Sequence, residues 1–118
     1  MRRILFAGLA LAGMTGPAFA HAHLSTATPA VGSTVATAPA EVAITYTEAL
    51  EPKFSTIEVT SATGARVDKA DLHVVNGDGK HVAVSLQPLS PGVYTVTWHA
   101  TSVDTHKTEG SFTFTVGK

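Results

Sequence analysis

The chain has 118 residues, of which 44% are hydrophobic and 14% are charged, and its formal net charge is −1. This composition is too apolar for a disordered tail. It offers no basic stripe and no run of like charge, so nucleic acid is not expected as a partner. The chain has no cysteine, which excludes disulfides, thiol nucleophiles and thiolate-ligated metal centres.

The N-terminus has the pattern of a secretory signal peptide. Two arginines are followed by an apolar stretch from Ile4 to Met14 and by the small-residue triplet Ala18-Phe19-Ala20. The apolar stretch is too short for a permanent transmembrane helix. We therefore expect residues 1–20 to be cleaved on export, leaving one domain over residues 21–118 that does not itself span the membrane.

The remainder of the chain predicts an all-β fold, because it is rich in Thr and Val and is punctuated by Pro and Gly without helical periodicity. About seven short strands indicate a Greek-key β-sandwich or small barrel, immunoglobulin-like or cupredoxin-like. The expected strands are an irregular edge strand within Pro29–Pro39 and regular strands at Val42–Glu48, around Ile57 and Val59, and at Leu72–Val75, His81–Leu86, Val93–His99 and Ser111–Val116.

Three of these strands have a clear inward face, since alternate residues of a strand point to the same side. The Asn-Gly and Asp-Gly steps within Asn76–Lys80 predict a tight turn with positive φ angles. The residues expected to face the core are Val42, Ile44, Tyr46, Tyr94, Val96, Trp98, Phe112, Phe114 and Val116.

Two of the six histidines stand out as candidate metal ligands. His21 would be the first residue after cleavage, so its α-amine and its ring could chelate one ion together. The pKa of an α-amine is about 7.7–8.0, which lets a metal displace its proton near neutral pH. Asp104 and His106 lie two residues apart and could point to the same side of extended backbone, although an Asp-x-His triplet alone is more often a solvated loop.

The mature chain resembles the CopC-type copper-binding proteins of bacterial copper resistance over nearly its whole length. The segments that carry the resemblance are His21-Ala22-His23-Leu24, Thr28-Pro29-Ala30, Tyr46-Thr47-Glu48, Pro91 to Trp98, Ser102 to His106, Gly110, and Phe112 to Val116.

This resemblance implies a periplasmic protein that sequesters or carries copper. It implies Cu(II) ligation by the amine and ring of His21 together with Asp104 and His106, and an inner-membrane CopD-like partner. Glu48 matches a family carboxylate that could accept a hydrogen bond from the N-terminal amine; the other interpretation is an ordinary strand-end Glu. A site at a chain end could open by local detachment of its first residues.

The last loop departs from the family pattern Ser-x-Asp-Gly-His-Pro. Thr105 replaces the glycine and Lys107 replaces the proline. If the family glycine has a positive φ angle, Thr105 is strained there by about 1 kcal/mol or more.

The oxidation state of the bound copper is expected to be Cu(II) alone. Three nitrogens and one oxygen suit Cu(II), whereas Cu(I) favours thioether and thiolate ligands. Both methionines of the chain, Met1 and Met14, lie within the predicted signal peptide.

His23 leaves a second copper mode open. In an amine-x-His tripeptide such as His21-Ala22-His23, the amine, two deprotonated backbone amides and the third-position imidazole can surround Cu(II) or Ni(II) in a square plane. This mode would need neither Asp104 nor His106.

Other functions also remain open. The chain could be a copper-dependent oxidative enzyme with an N-terminal histidine brace, or a secreted immunoglobulin-like interaction module with incidental histidines. His73 and His81 flank the predicted turn and could face each other, although a solvated pair is the more common outcome. His99 is interpreted as a surface residue.

Overall fold

The computed structural model describes residues 21–118, so the predicted signal peptide over residues 1–20 lies outside the described residues. The described chain forms eight strands and a short 3₁₀ helix at Pro52–Phe54. The strands are β1 (Leu24–Thr28), β2 (Thr34–Val35), β3 (Glu41–Tyr46), β4 (Thr56–Thr60), β5 (His73–Val74), β6 (His81–Ser85), β7 (Gly92–Thr101) and β8 (Lys107–Val116). Within residues 21–118, no helix has the length and apolarity needed to cross a bilayer.

The strands form two four-stranded sheets, in the orders β1-β3-β6-β5 and β2-β8-β7-β4. The chain crosses between the sheets after each of the first four strands and again after β6. All pairs are antiparallel except β2 with β8. The prediction of an all-β Greek-key fold is confirmed, as a sandwich of two separate sheets.

The core lies between the inner faces of the two sheets. All nine residues predicted to face inward are at most 8% exposed. Tyr46 from one sheet meets Trp98 from the other edge to face, with ring centroids 5.3 Å apart, a favoured geometry for aromatic pairs. Burial raises the pKa of the Tyr46 hydroxyl, so this side chain is a neutral part of the core.

Gly110 is required by the packing of Trp98. The two residues are opposite each other in the β7–β8 pairing, and the indole ring lies across the glycine. A Cβ atom at position 110 would lie 2.6 Å from Trp98 Cζ2. Any larger residue at position 110 would therefore force the indole ring or the local backbone to shift.

One ionisable side chain, Asp68, is enclosed beside β4. Its carboxylate accepts hydrogen bonds from the Arg66 guanidinium and from the N–H groups of Val59 and Ala70, at 2.8–3.0 Å. Burial by itself would raise the pKa of Asp68, but these donors outweigh it and hold the pKa below its usual range. The ionised carboxylate thus links the 66–70 segment to the sheet.

Several strand boundaries differ from the sequence prediction. The strand expected at Val42–Glu48 ends at Tyr46, so Glu48 lies in a bend beyond it. The last two strands are longer than expected, because β7 continues to Thr101 and β8 begins at Lys107. Strand β1 was not predicted, and it raises the count from about seven to eight.

Candidate metal site

Residues His21–His23 lie against one end of the sandwich as an ordered backbone segment. Ala22 is 0% exposed, and its carbonyl accepts a hydrogen bond from Thr108 Oγ1 at 2.5 Å. Thr47 forms hydrogen bonds with the residues on either side of Ala22. Its Oγ1 accepts from the His23 N–H at 3.0 Å and donates to the His21 carbonyl at 3.3 Å. The Thr47 N–H also donates to the His23 carbonyl at 2.9 Å. The rings of His21 and His23 remain exposed.

The chain reverses direction between β7 and β8 in a hairpin turn. Ser102 pairs with His106, so the turn itself consists of residues 103–105. The Thr105 N–H donates to the Ser102 carbonyl at 2.8 Å, and the Ser102 N–H donates to the His106 carbonyl at 2.9 Å. Thr105 has a φ of +74°, the left-handed conformation that this type of turn needs at its third loop position. Thr105 thus has the positive φ angle on which the expected strain depends, and a β-branched residue rarely adopts this conformation.

The turn holds the Asp104 carboxylate beside the His106 ring. Ser102, which is almost fully buried, donates a hydrogen bond from its hydroxyl to Asp104. Asp104 Oδ2 lies 3.2 Å from His106 Nδ1. The hydrogen bond from Ser102 lowers the pKa of Asp104, as do the His106 N–H and ring. The carboxylate is therefore ionised and suited to bind a cation.

The four candidate ligand residues, His21, His23, Asp104 and His106, lie at this end of the molecule. The His21 and His106 rings contact edge to face with centroids 4.8 Å apart, and the His21 and His23 rings are 6.2 Å apart. Within residues 21–118, however, no three His, Asp or Glu side chains already converge on one point. These side chains would therefore have to rotate before they could hold one ion together, and the His21 nitrogen would be an amine only in a chain cleaved after Ala20.

The other residues considered from sequence occupy different positions. Glu48 is half-buried, one residue beyond Thr47. The expectation that His73 and His81 face each other is wrong, because His73 is opposite Ala83 in the β5–β6 register. His73 instead hydrogen-bonds the Asp71 carbonyl and His81 contacts Asp78. His99 is exposed on β7, with its Nε2 3.2 Å from Glu109 Oε1.

Sequence reasoning missed the polar residues that hold the site together. Thr47 and Thr108 fix the N-terminal segment by hydrogen bonds, and they lie 26 and 86 residues from their partners His21 and Ala22. The one sequence feature that pointed to Thr47 was its place in the Tyr46-Thr47-Glu48 motif. Threonine is common throughout the chain, so Thr108 had no signal of its own.

The fold and this candidate site define a β-sandwich with a histidine-rich end, at which the His21–His23 segment contacts the β7–β8 turn. The CopC domain family model matches residues 24–117. "Copper resistance protein C" of Pseudomonas syringae pv. tomato is 36% identical over 124 residues, covering 98% of each chain. The chain belongs to the CopC family, as its resemblance led us to expect.

Solved structures of the family have the same fold. CopC from Methylosinus trichosporium OB3b superimposes with a TM-score of 0.77 at 28% identity, covering 82% of this chain and 94% of that one. PcoC from Escherichia coli, described as a methionine-rich copper resistance protein, gives a TM-score of 0.72 at 33% identity, covering 82% of this chain and 99% of its own.

A further relative is much longer than this chain. The "Copper transport protein CutJ" of Bacillus subtilis is 36% identical over 102 residues, which are 85% of this chain but only 19% of that protein. A CopC-like segment thus forms one part of a larger copper transport protein.

Replacing Thr105 by glycine is expected to stabilise the protein. The left-handed conformation costs a residue with a Cβ about 1–2 kcal/mol, and the greater freedom of glycine in the unfolded chain offsets about 0.5–1 kcal/mol of the gain. We expect Thr105→Gly to raise the free energy of unfolding by about 0.5–1 kcal/mol, measured by urea denaturation of protein beginning at His21. Thr105→Ala, which retains the Cβ, is the control, and equal stability of the two variants would contradict the assignment of backbone strain.

Proposed function

We propose that this protein is a periplasmic Cu(II)-binding protein of copper resistance, exported by a cleaved signal peptide, which sequesters copper and carries it to a partner. The observation that supports this proposal most directly is the contact between the His21 and His106 rings, whose centroids are 4.8 Å apart. Asp104 lies 3.2 Å from His106. The start of the domain and the β7–β8 turn thus bring imidazole and carboxylate groups near one another on the same surface.

The proposed ligands are the α-amine and ring of His21, the Asp104 carboxylate and the His106 ring. Three nitrogens and one oxygen match the tetragonal preference of Cu(II), whereas Ca²⁺ and Mg²⁺ favour sites made of oxygen alone. Glu48 is proposed to accept a hydrogen bond from the amine, because it is half-buried and directly follows Thr47, which contacts the same segment.

We propose that the bound ion is Cu(II) and not Cu(I). PcoC, a relative in the same family, is described as methionine-rich, whereas the only methionines of this chain are Met1 and Met14. Soft thioether ligands stabilise Cu(I), and none is present in residues 21–118. Reduction of the bound ion should therefore weaken its binding.

A carrier role agrees with the exposure of the proposed ligands. The side chains of His106 and Asp104 are 46% and 40% exposed, so an acceptor protein could reach them. The longer copper transport protein that includes a similar segment supports a transport protein as the acceptor. We propose a CopD-like inner-membrane protein in this role.

Extending the mature N-terminus by one residue is expected to abolish tight Cu(II) binding. An added Ala before His21 converts the α-amine into a peptide nitrogen and removes the chelate that the amine forms with the His21 ring. The loss should be at least about 100-fold, more than the loss of a group that only supports a ligand. Competition titration of both proteins with a Cu(II) chelator measures it, and equal affinities would exclude the amine as a ligand.

His106→Ala is expected to weaken Cu(II) binding by a similar factor, because it removes one ligand of the folded site while leaving the His21-Ala22-His23 tripeptide intact. His73→Ala is the matched control, since His73 is also exposed but lies on β5 and hydrogen-bonds Asp71. If His106→Ala bound Cu(II) as tightly as the control, copper would be held by the tripeptide.

The resistance role predicts a growth phenotype. A strain that lacks this protein should tolerate less copper in its medium, and the wild-type chain should restore tolerance whereas His106→Ala should not, because a chain without tight binding cannot sequester the ion. Growth across a copper series, with equal amounts of each protein in the cell, provides the measurement. Full restoration by His106→Ala would separate resistance from copper binding at this site.

A further inference from the structure

The backbone of the N-terminal segment is held by two threonine side chains. Thr47 Oγ1 accepts from the His23 N–H and donates to the His21 carbonyl, and Thr108 Oγ1 donates to the Ala22 carbonyl between them. A hydroxyl can donate one hydrogen bond while accepting others. The single Thr47 hydroxyl therefore links two residues of the segment at once.

These hydrogen bonds are incompatible with the backbone geometry that the tripeptide mode of metal binding requires. In that mode the backbone nitrogens of Ala22 and His23 both face the metal, in one plane with the α-amine and the His23 ring. In the structure the His23 nitrogen faces Thr47 Oγ1 at 3.0 Å, and Ala22 is buried in the core cluster. The tripeptide could surround a metal only after Ala22 left the core and the Thr47 hydrogen bonds broke.

We propose that Thr47 is a positioning residue, which holds the mature N-terminus against the sandwich and thereby prevents the His21-Ala22-His23 tripeptide from wrapping a metal. The inference rests on the proposed function in that the segment held in this way keeps the His21 ring beside the His106 ring. Its consequence is metal selectivity. Square-planar nitrogen sites accept Ni(II) as well as Cu(II), so a segment prevented from forming such a site discriminates against Ni(II).

The test uses Ni(II) alone as the probe, added to protein that begins at His21. Thr47→Val removes the hydroxyl at nearly constant shape, Thr47→Ser retains it, and Thr113→Val makes the same change at an exposed position of β8. Square-planar Ni(II) bound to nitrogen is diamagnetic and absorbs visible light, so absorbance and NMR both detect it.

We expect no planar Ni(II) complex in the wild type, Thr47→Ser or Thr113→Val, and a stoichiometric complex in Thr47→Val. Adding His23→Ala to Thr47→Val should abolish that complex. The Cu(II) EPR spectrum of Thr47→Val should change from a pattern of three nitrogens and one oxygen to one of four nitrogens. The proposal is overturned if folded Thr47→Val matches the wild type in both experiments, or if the wild type itself forms the planar Ni(II) complex.

If Thr47→Val fails to fold by circular dichroism, Thr108→Val releases the Ala22 carbonyl instead and is expected to have the same effect; no Ni(II) uptake by that folded variant would then overturn the proposal. The Ni(II) readout requires neither Asp104 nor His106. A failure of the folded copper site, detected with His106→Ala, is therefore distinct from a failure of the threonine contact.

Discussion

The candidate site depends on the backbone hydrogen bonds of one short segment, Thr47–Glu51, which follows β3. Its N–H groups donate to His23, to Gly79 in the turn between β5 and β6, and to Thr101 at the end of β7, and its Ala49 carbonyl accepts from Val103. Gly79 packs closely on Ala49, where an added Cβ would lie 3.1 Å from the alanine Cβ. The segment thus links the His21–His23 segment, the β5–β6 turn and the β7–β8 turn, so these three parts of the surface are positioned together.

Much of the fold could be predicted because the alternation of apolar and polar residues along a strand shows which of its side chains are buried. The inward residues of β3, β7 and β8 are buried as expected, and the Asn76–Lys80 turn has the positive φ angles that its glycines and Asn76 favour. Strand β1 could not be predicted in this way. Its register shifts between Leu24 and Thr26, so Leu24 and Ala27, three residues apart, both pack against the core. A bulge of this kind removes the period of two on which strand prediction depends.

Only part of the candidate site could be predicted from the sequence. The candidate ligands were visible in sequence because His21 follows the predicted cleavage site and residues 102–106 resemble the family motif, and the left-handed turn could be anticipated because Thr105 stands where that motif has glycine. The contacts of Thr47 and Thr108 were not visible, since they depend on which threonines become neighbours of the N-terminal segment once β1 pairs with β3. The sequence pattern identified groups that can bind a metal, whereas the groups that orient them required the strand register.

The burial of Ala22 also bears on how an ion held at the candidate site would be released. A site at a chain end suggests opening by detachment of the first residues, but Ala22 is buried and hydrogen-bonded. Detachment would expose apolar surface and break several hydrogen bonds, each of which contributes about 0.5–1.5 kcal/mol. The His21, Asp104 and His106 side chains, by contrast, are exposed and can rotate without disturbing the core. Under the proposed function, an acceptor would therefore replace side-chain ligands one at a time while the backbone stays fixed, which allows a tightly held ion to be passed on.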